Sequence, residues 1–377
     1  MTKFILKEIR SSILSIFIFL FLMYYFINIL IPGDFLTPLR LMMSQQELDE
    51  LRASLGADDP IYKQYFRWVI SVFSGDITPG GFMRNSSKDI TSTIFPTLQI
   101  LIPSFFLAYF TSRISAIKTP IKRLYKNKII SDSISTLLIS LFPPIVYFLI
   151  SDKVENYFSK FTQYFEIKKT PTSLIEFSEF TFNLYLFMFL IALVLIFIFF
   201  TELLSGINFS YLKLLISLFL MSYIFIALDE VIFNEIIFAS KNATKTIIIL
   251  TVFLFGEYML MNNVIIQNIS REPHILTARA LGYSKSSIYK YHILNNSFGP
   301  FANRLGLSLP YLIASLVIVE STTSWSGMGS MLYRTILNQD SNAAMGIFLL
   351  LALLSTFLRI AISLFHVYID PRVRDNV

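Results

Sequence analysis

Residues 182–200 read "FNLYLFMFLIALVLIFIFF" and carry no charge. An α-helix needs about 20 mostly apolar residues to cross a hydrocarbon core of about 30 Å, so this stretch predicts a transmembrane helix. Seven more segments come close to the same standard: 11–31, 91–112, 131–151, 211–228, 246–267, 301–320 and 342–366. The fold expected is an all-α polytopic membrane protein with eight spans. The fifth span, 211–228, is the weakest, with Lys213 near one end and Asp229-Glu230 at the other.

Composition agrees. Of 377 residues, 54% are hydrophobic and 15% charged, against about 25% charged in ordinary soluble domains. With 38 Phe but only 13 Gly and 14 Pro, low-complexity disorder is excluded. The net charge of +6 does not point to nucleic acid, because the basic residues cluster at the ends of apolar runs, as positive-inside topology requires. Without cysteine, disulfides and thiolate metal sites are excluded. His274, His292 and His366 share no ligand spacing, so no metal site is expected.

Charge in the loops sets the orientation. Residues 113–130 hold six Lys/Arg and no acid, whereas 33–90 hold eight Asp/Glu against six Lys/Arg and 152–180 hold five against four. Both termini, the 113–130 loop and 268–300 are therefore expected on the cytoplasmic side of the membrane. The first span follows Lys3, Lys7 and Arg10 like a signal peptide, but its length and the lack of a cleavage site predict an uncleaved anchor over 1–31.

The segment 32–90 is organised. In "MSQQELDELRASLGADDP" (43–60), Ser44 and Glu47 form a capping box, Leu48, Leu51 and Leu55 an apolar stripe, and Gly56 a stop. Asp59-Pro60 then begins a second helix as N-cap and first position, with Ile61, Tyr65, Trp68, Val69 and Val72 on one face. This helix pair either covers a pore mouth or packs on neighbouring spans.

Residues 268–300 are small, polar and basic between two apolar runs. "REPHILTARAL" (271–281) has the content of a short helix, Gly282 can end it in a left-handed turn, and Ser284 can cap a second helix. Ala278, Ala280 and Gly282 would let another protein approach closely. A basic loop resting on headgroups is the alternative.

"TARALGYSKSSIYKYHILNNSFGP" (277–300) resembles the cytoplasmic coupling loop, or EAA loop, of ABC-importer permeases. Thr277, Ala278, Arg279, Ala280 and Gly282 match the start of the peptide-importer form, "RTARAKG", and Pro300 its close. Further fragments match in order. "IPGD" (31–34, with Pro32, Gly33 and Asp34), "LGADDPIYKQYFRW" (55–68), "SGD" (74–76) and "PTLQI" (96–100) resemble the first half of the B-type subunit of dipeptide and oligopeptide (peptide/nickel) importers. "VESTTSWSGMGSML" (319–332), with Glu320, Trp325, Gly327 and Gly329, resembles that family's "ETVFSWPGLG", and "DPRVR" (370–374) its end.

The resemblance implies a type I ABC-importer permease fold over 91–377: six family spans plus a two-span insertion at 181–228. It implies half of a pathway for dipeptides or oligopeptides, driven through the 268–300 loop, in a bacterial-type cytoplasmic membrane. The partners implied are a second homologous permease, two ATPase subunits, an extracytoplasmic substrate-binding protein and membrane lipid, with no nucleic acid. The chain lacks a G-x-x-x-x-G-K-[ST] loop, so it is not expected to be an enzyme or to bind a cofactor; ATP and Mg would be used by the partner ATPase.

Leu281 replaces the family's Lys, and Ser326 its Pro. In the last span Arg359 and Ser363 stand where the family often has Asn and Asp. An ionisable residue in a span is by default functional, so Glu257 and Arg359 are candidates for the pathway. Arg359 either snorkels to the interface or pairs with Glu257, and Glu257 either contacts a peptide's amino group or is buried and satisfied. The competing functions are a permease for nickel complexes or another small solute, a degenerate permease acting as scaffold or sensor, and a membrane-embedded enzyme. No paired Asp, H-E-x-x-H or Ser–His arrangement supports the enzyme.

Overall fold

The computed structural model describes residues 2–30, 43–56, 59–78, 90–118, 128–140, 143–164, 179–204, 211–227, 230–284 and 287–369. Among them the regular structure is helical: α1 (Thr2–Leu30), α2 (Gln45–Leu55), α3 (Ile61–Phe73), α4 (Ile94–Lys118), α5 (Lys128–Ser140), α6 (Pro143–Tyr164), α7 (Glu179–Leu204), α8 (Tyr211–Ala227), α9 (Glu230–Ile269), α10 (Pro273–Ala280), α11 (Phe298–Thr323), α12 (Met328–Leu337) and α13 (Ser341–Ile369). The chain forms two units, Met1–Thr97 with Leu309–Val377, and Leu98–Ser308.

Six helices among the described residues are long and apolar enough to cross a membrane: Arg10–Leu30, Ile90–Arg113, Phe182–Phe199, Asn234–Ile269, Phe298–Thr323 and Ser341–Leu364. Two of the eight expected spans, 131–151 and 211–228, are not among these six. Segment 131–151 is a bent pair, Asp132–Ser140 and Pro143–Lys160, at 90°; Pro143 and Pro144 open the second helix, where a missing N–H is harmless. Counted as one span, the bent pair makes seven. Helix α8 has 17 described residues, about 26 Å at 1.5 Å per residue, at the lower end of the range that spans a bilayer. It packs along α7, with Tyr185 and Tyr223 hydrogen-bonded.

In the first unit, α1 and α13 run antiparallel. Phe19 meets Phe348 with ring centroids 6.2 Å apart, and Arg359 donates to Ser12 Oγ, so the start of α1 and the end of α13 lie together. Helix α3 packs beneath them. Tyr65 is fully buried among Phe17, Phe21, Tyr24 and Trp68, and its hydroxyl donates to Phe17 O at 3.0 Å. Ile61, Val69 and Val72 join the same core. The face expected of α3 is thus used for packing on α1, α12 and α13 residues. Upstream, the Ser44–Glu47 capping box forms and Gly56 stops α2 at φ 65°. The hydrogen bonds from Ser44 hold the exposed Glu47 carboxyl below its usual range. The next start lies one residue later than expected: Pro60 is the N-cap and Asp59 pairs with Arg67.

The second unit is stitched by polar pairs between helices. Gln99 of α4 donates to Asn183 O at 2.6 Å, Ser104 to Ile247 O at 3.2 Å, and Asn262 to Ser112 Oγ at 3.1 Å. Such bonds contribute about 0.6 kcal/mol each in a membrane. Gly256 lies against α5, where a Cβ would come within 3.0 Å of Ser135 O and of the Leu138 and Ile139 side chains.

Candidate functional site

The matched residues that the structure describes form two helical corners, one in each unit. In the second unit α9 ends and the chain turns through Arg271 and Glu272 into Pro273, which occupies the first turn of α10, where its missing N–H is harmless. Ile275 and Ala278, three residues apart, are buried; Leu276, Thr277, Arg279 and Ala280 are exposed. The helix ends in a Schellman turn. Gly282 takes φ 80°, its N–H donates to Arg279 O at 3.1 Å, and the Tyr283 N–H reaches Ala278 O at 3.3 Å. A Cβ at Gly282 would meet nothing within 4 Å among the described residues, so it is the left-handed φ that favours glycine there. Ser284 Oγ then accepts the Ser287 N–H at 3.2 Å and caps the next helical stretch.

That stretch begins as a π-helix, Ile288–Ile293, and continues through Leu294–Asn296 into α11. Two contacts fix it to the rest of the unit. Arg113, at the end of α4, donates to Leu294 O at 2.9 Å. Asn296 Nδ2 meets His274 Nε2 at 3.3 Å, while His274 Nδ1 lies 3.2 Å from Glu272. Burial pushes the Tyr289 phenol well up, against the opposing charge of Arg113. The result is a short hairpin held rigidly from one side, with Leu276, Leu281, Tyr283 and Tyr291 exposed on it. Ala278 faces inward and offers no approach to a partner, unlike Ala280 and Gly282. Pro300 sits exposed in the first turn of α11. Reading the sequence did not single out Arg113, counted there only as loop charge, nor the His274–Asn296 tie.

The first unit holds the other corner, where α11 turns into α12. Glu320 is fully buried. Its Oε2 accepts the Gly329 N–H at 2.5 Å, and the Ser330 amide and Thr97 hydroxyl also turn toward the carboxylate. Thr97 Oγ1 in turn accepts the Met328 N–H at 2.8 Å, and Trp325 Nε1 donates to Pro96 O at 2.9 Å. The glycines make room. A Cβ on Gly327 would fall on the Glu320 carboxylate, and one on Gly329 would come within 2.5 Å of Val317 Cα. A carboxylate at a helix N-terminus satisfies both the free amides and the dipole. Thus Glu320, Trp325, Gly327 and Gly329 form one joint, and Thr97 and Pro96 complete it.

Pro32, Gly33 and Asp34 lie outside the described residues. The two ionisable candidates within spans have separate partners. Arg359 bonds Ser12, and Glu257 bonds Ser308 while its buried Oε2 has no hydrogen-bond partner among the described residues.

Comparison with known proteins gives a consistent result. The family model "Binding-protein-dependent transport system inner membrane component" matches residues 174–375, more than half the chain, and its N-terminal companion matches 1–83. The di/tripeptide transport system permease protein DppB of Pseudomonas aeruginosa is 23% identical over 358 residues, 92% of this chain and 91% of that protein. A putative peptide permease protein of Brucella suis is 23% identical over 352 residues, 92% and 91% of the two chains. The dipeptide transport system permease protein DppB of Escherichia coli is 29% identical over 103 residues, 27% of this chain and 30% of that one.

Proposed function

The chain belongs to the binding-protein-dependent transport system inner membrane components, and from that premise we propose that it is the B-type permease half of an ATP-driven importer of dipeptides or oligopeptides. The observation that carries this reading is the exposed, internally braced hairpin over 273–300, within a family match that includes both the hairpin and the Glu320 corner. The relatives named for peptide transport over nine-tenths of their length support the cargo.

In this reading Thr277, Arg279, Ala280, Gly282 and Ser284 present the surface that an ATPase grips, Ala278 seats the helix on its own unit, and Pro300 starts the span that moves. A rigid hairpin transmits motion to a packed helix bundle without chemistry of its own. ATP and Mg are used by two ATPase subunits, a second homologous permease completes the pathway, and an extracytoplasmic binding protein delivers the cargo. Both termini and the hairpin face the cytoplasm. The antiparallel pairing of α1 with α13 supports placing the termini on one side, and the basic sequence 113–130 supports the cytoplasmic one. The α7–α8 hairpin is a lipid-facing addition to the family's spans, with Leu215, Leu218 and Phe219 exposed on α8.

The test is purification of the tagged chain with its partners, reconstitution in vesicles, and ATP-dependent uptake of a labelled dipeptide. Uptake that needs both the ATPase and the binding protein is expected. A complete complex that carries a nickel chelate but no peptide would replace the cargo. One that assembles and moves neither would leave a scaffold.

A further inference from the structure

The α11–α12 corner buries a carboxyl group where a local cap was open. Helix α12 has Gly327 as N-cap and no side-chain cap of its own. A local Ser, Asp or Asn would satisfy its first amides, and Ser326 stands only one residue away. Instead the amides are met by Glu320, from the last turn of the preceding span, in a pocket with no solvent exposure. Among the described residues its Oε1 has no hydrogen-bond partner. Burying a carboxylate with one oxygen unmatched is poor value as stabilisation, but it fixes geometry. The carboxylate holds α12 to the end of α11, and Thr97 holds both to the start of α4 through the Met328 amide. Trp325 adds a second bond to α4 at Pro96. Glycine at 327 and 329 keeps this junction free of any intervening side chain.

We propose that Glu320 is a positioning residue of the transport cycle: it welds the start of α4, the end of α11 and the first turn of α12 into one corner that moves as a body when the pathway opens. This rests on the importer reading above, which places the corner at the extracytoplasmic side, opposite the ATPases. Movement started at the 273–300 hairpin enters α11 at its first turn; the weld is what makes α12 follow at the other end. Without it the ATPases still cycle, but the far end of the pathway no longer answers.

The experiment has two arms, so that failure of the weld and failure of the importer reading are distinguishable. In the first, hydrogen exchange is followed in the intact complex in nanodiscs, with no transport required. Glu320→Ala is expected to speed exchange of the amides at 328–330 by about tenfold or more, with α13 unchanged. Glu320→Gln, whose amide oxygen can still accept from Gly329, restores most of the protection. In the second arm, Glu320→Ala is expected to lower dipeptide uptake by about tenfold while ATP hydrolysis stays within about twofold, and Glu320→Gln to recover uptake to within about threefold. Should Glu320→Ala fail to assemble, Thr97→Val removes one strand of the weld and is read the same way. Unchanged protection at 328–330 overturns the proposal, as does uptake falling in step with ATP hydrolysis. Wild-type complex that takes up no peptide would defeat the cargo reading and leave the exchange arm to decide the weld.

Discussion

The hairpin at 273–300 and the corner at 320–337 are both helix–turn–helix joints, and both depend on glycine, for opposite reasons. At the hairpin, Gly282 has φ 80°, and a Cβ there would strain the backbone but strike nothing among the described residues. At the corner, Gly327 and Gly329 have no positive φ, and a side chain would collide with a buried carboxylate or with the backbone of α11. The hairpin is built to be reached and the corner to be closed. Exposed Leu276, Leu281 and Tyr283 against fully buried Glu320 and Met328 make the same point.

The contrast is broken most directly at Gly329. Its added Cβ would lie 2.5 Å from Val317 Cα, where no rotamer can give way and only a helix shift relieves the overlap. Gly329→Ala is expected to destabilise the protein by about 2–3 kcal/mol, seen as a clear fall in Tm of the nanodisc complex. A Tm within about 1 °C of wild type would mean that the corner is looser than its hydrogen bonds imply.

Gly282→Asp should behave differently. Holding a side chain at φ 80° costs about 1–2 kcal/mol, and Asp tolerates that region better than most residues, so the Tm falls less than for Gly329→Ala. The larger effect is on association: bulk and charge appear where the chain turns toward a partner, and copurified ATPase should drop several-fold. A variant that retains its ATPase and transports normally would show that the hairpin is not the gripped surface.

Much of this contrast was legible in the sequence, but unevenly. Gly282, Ser284 and the Ser44–Glu47 box are local devices whose residue types state their geometry, and each forms as the spacing requires. The inward face of α3 follows from its periodicity. The bend at Pro143-Pro144 carried a local signal too, overridden by counting apolar residues across it. What could not be read is non-local. Nothing near Glu320 says that its carboxylate caps a helix nine residues on, or that Thr97 closes the joint from 223 residues away in the chain. Likewise Ala278 has the composition of a contact residue, and only the fold shows that it faces inward.

The smallest effect expected is also the most discriminating about glycine itself. Helix α11 ends in the same kind of turn as α10: the Trp325 N–H reaches Glu320 O at 3.1 Å, with Ser324 left-handed at φ 55°. Here the turn residue is exposed and is not glycine. Ser324→Gly relieves a left-handed cost of about 1–2 kcal/mol and adds unfolded-state entropy worth roughly 0.5–1 kcal/mol. The net expectation is a stabilisation of about 0.5 kcal/mol, a small rise in Tm with uptake unchanged. If that rise is found, the turn of the corner obeys the conformational rule that governs Gly282, and only its packing at 327 and 329 is special. If Ser324→Gly lowers the Tm instead, the serine holds the corner by more than its backbone, and the two joints differ in their turns as well as in their packing.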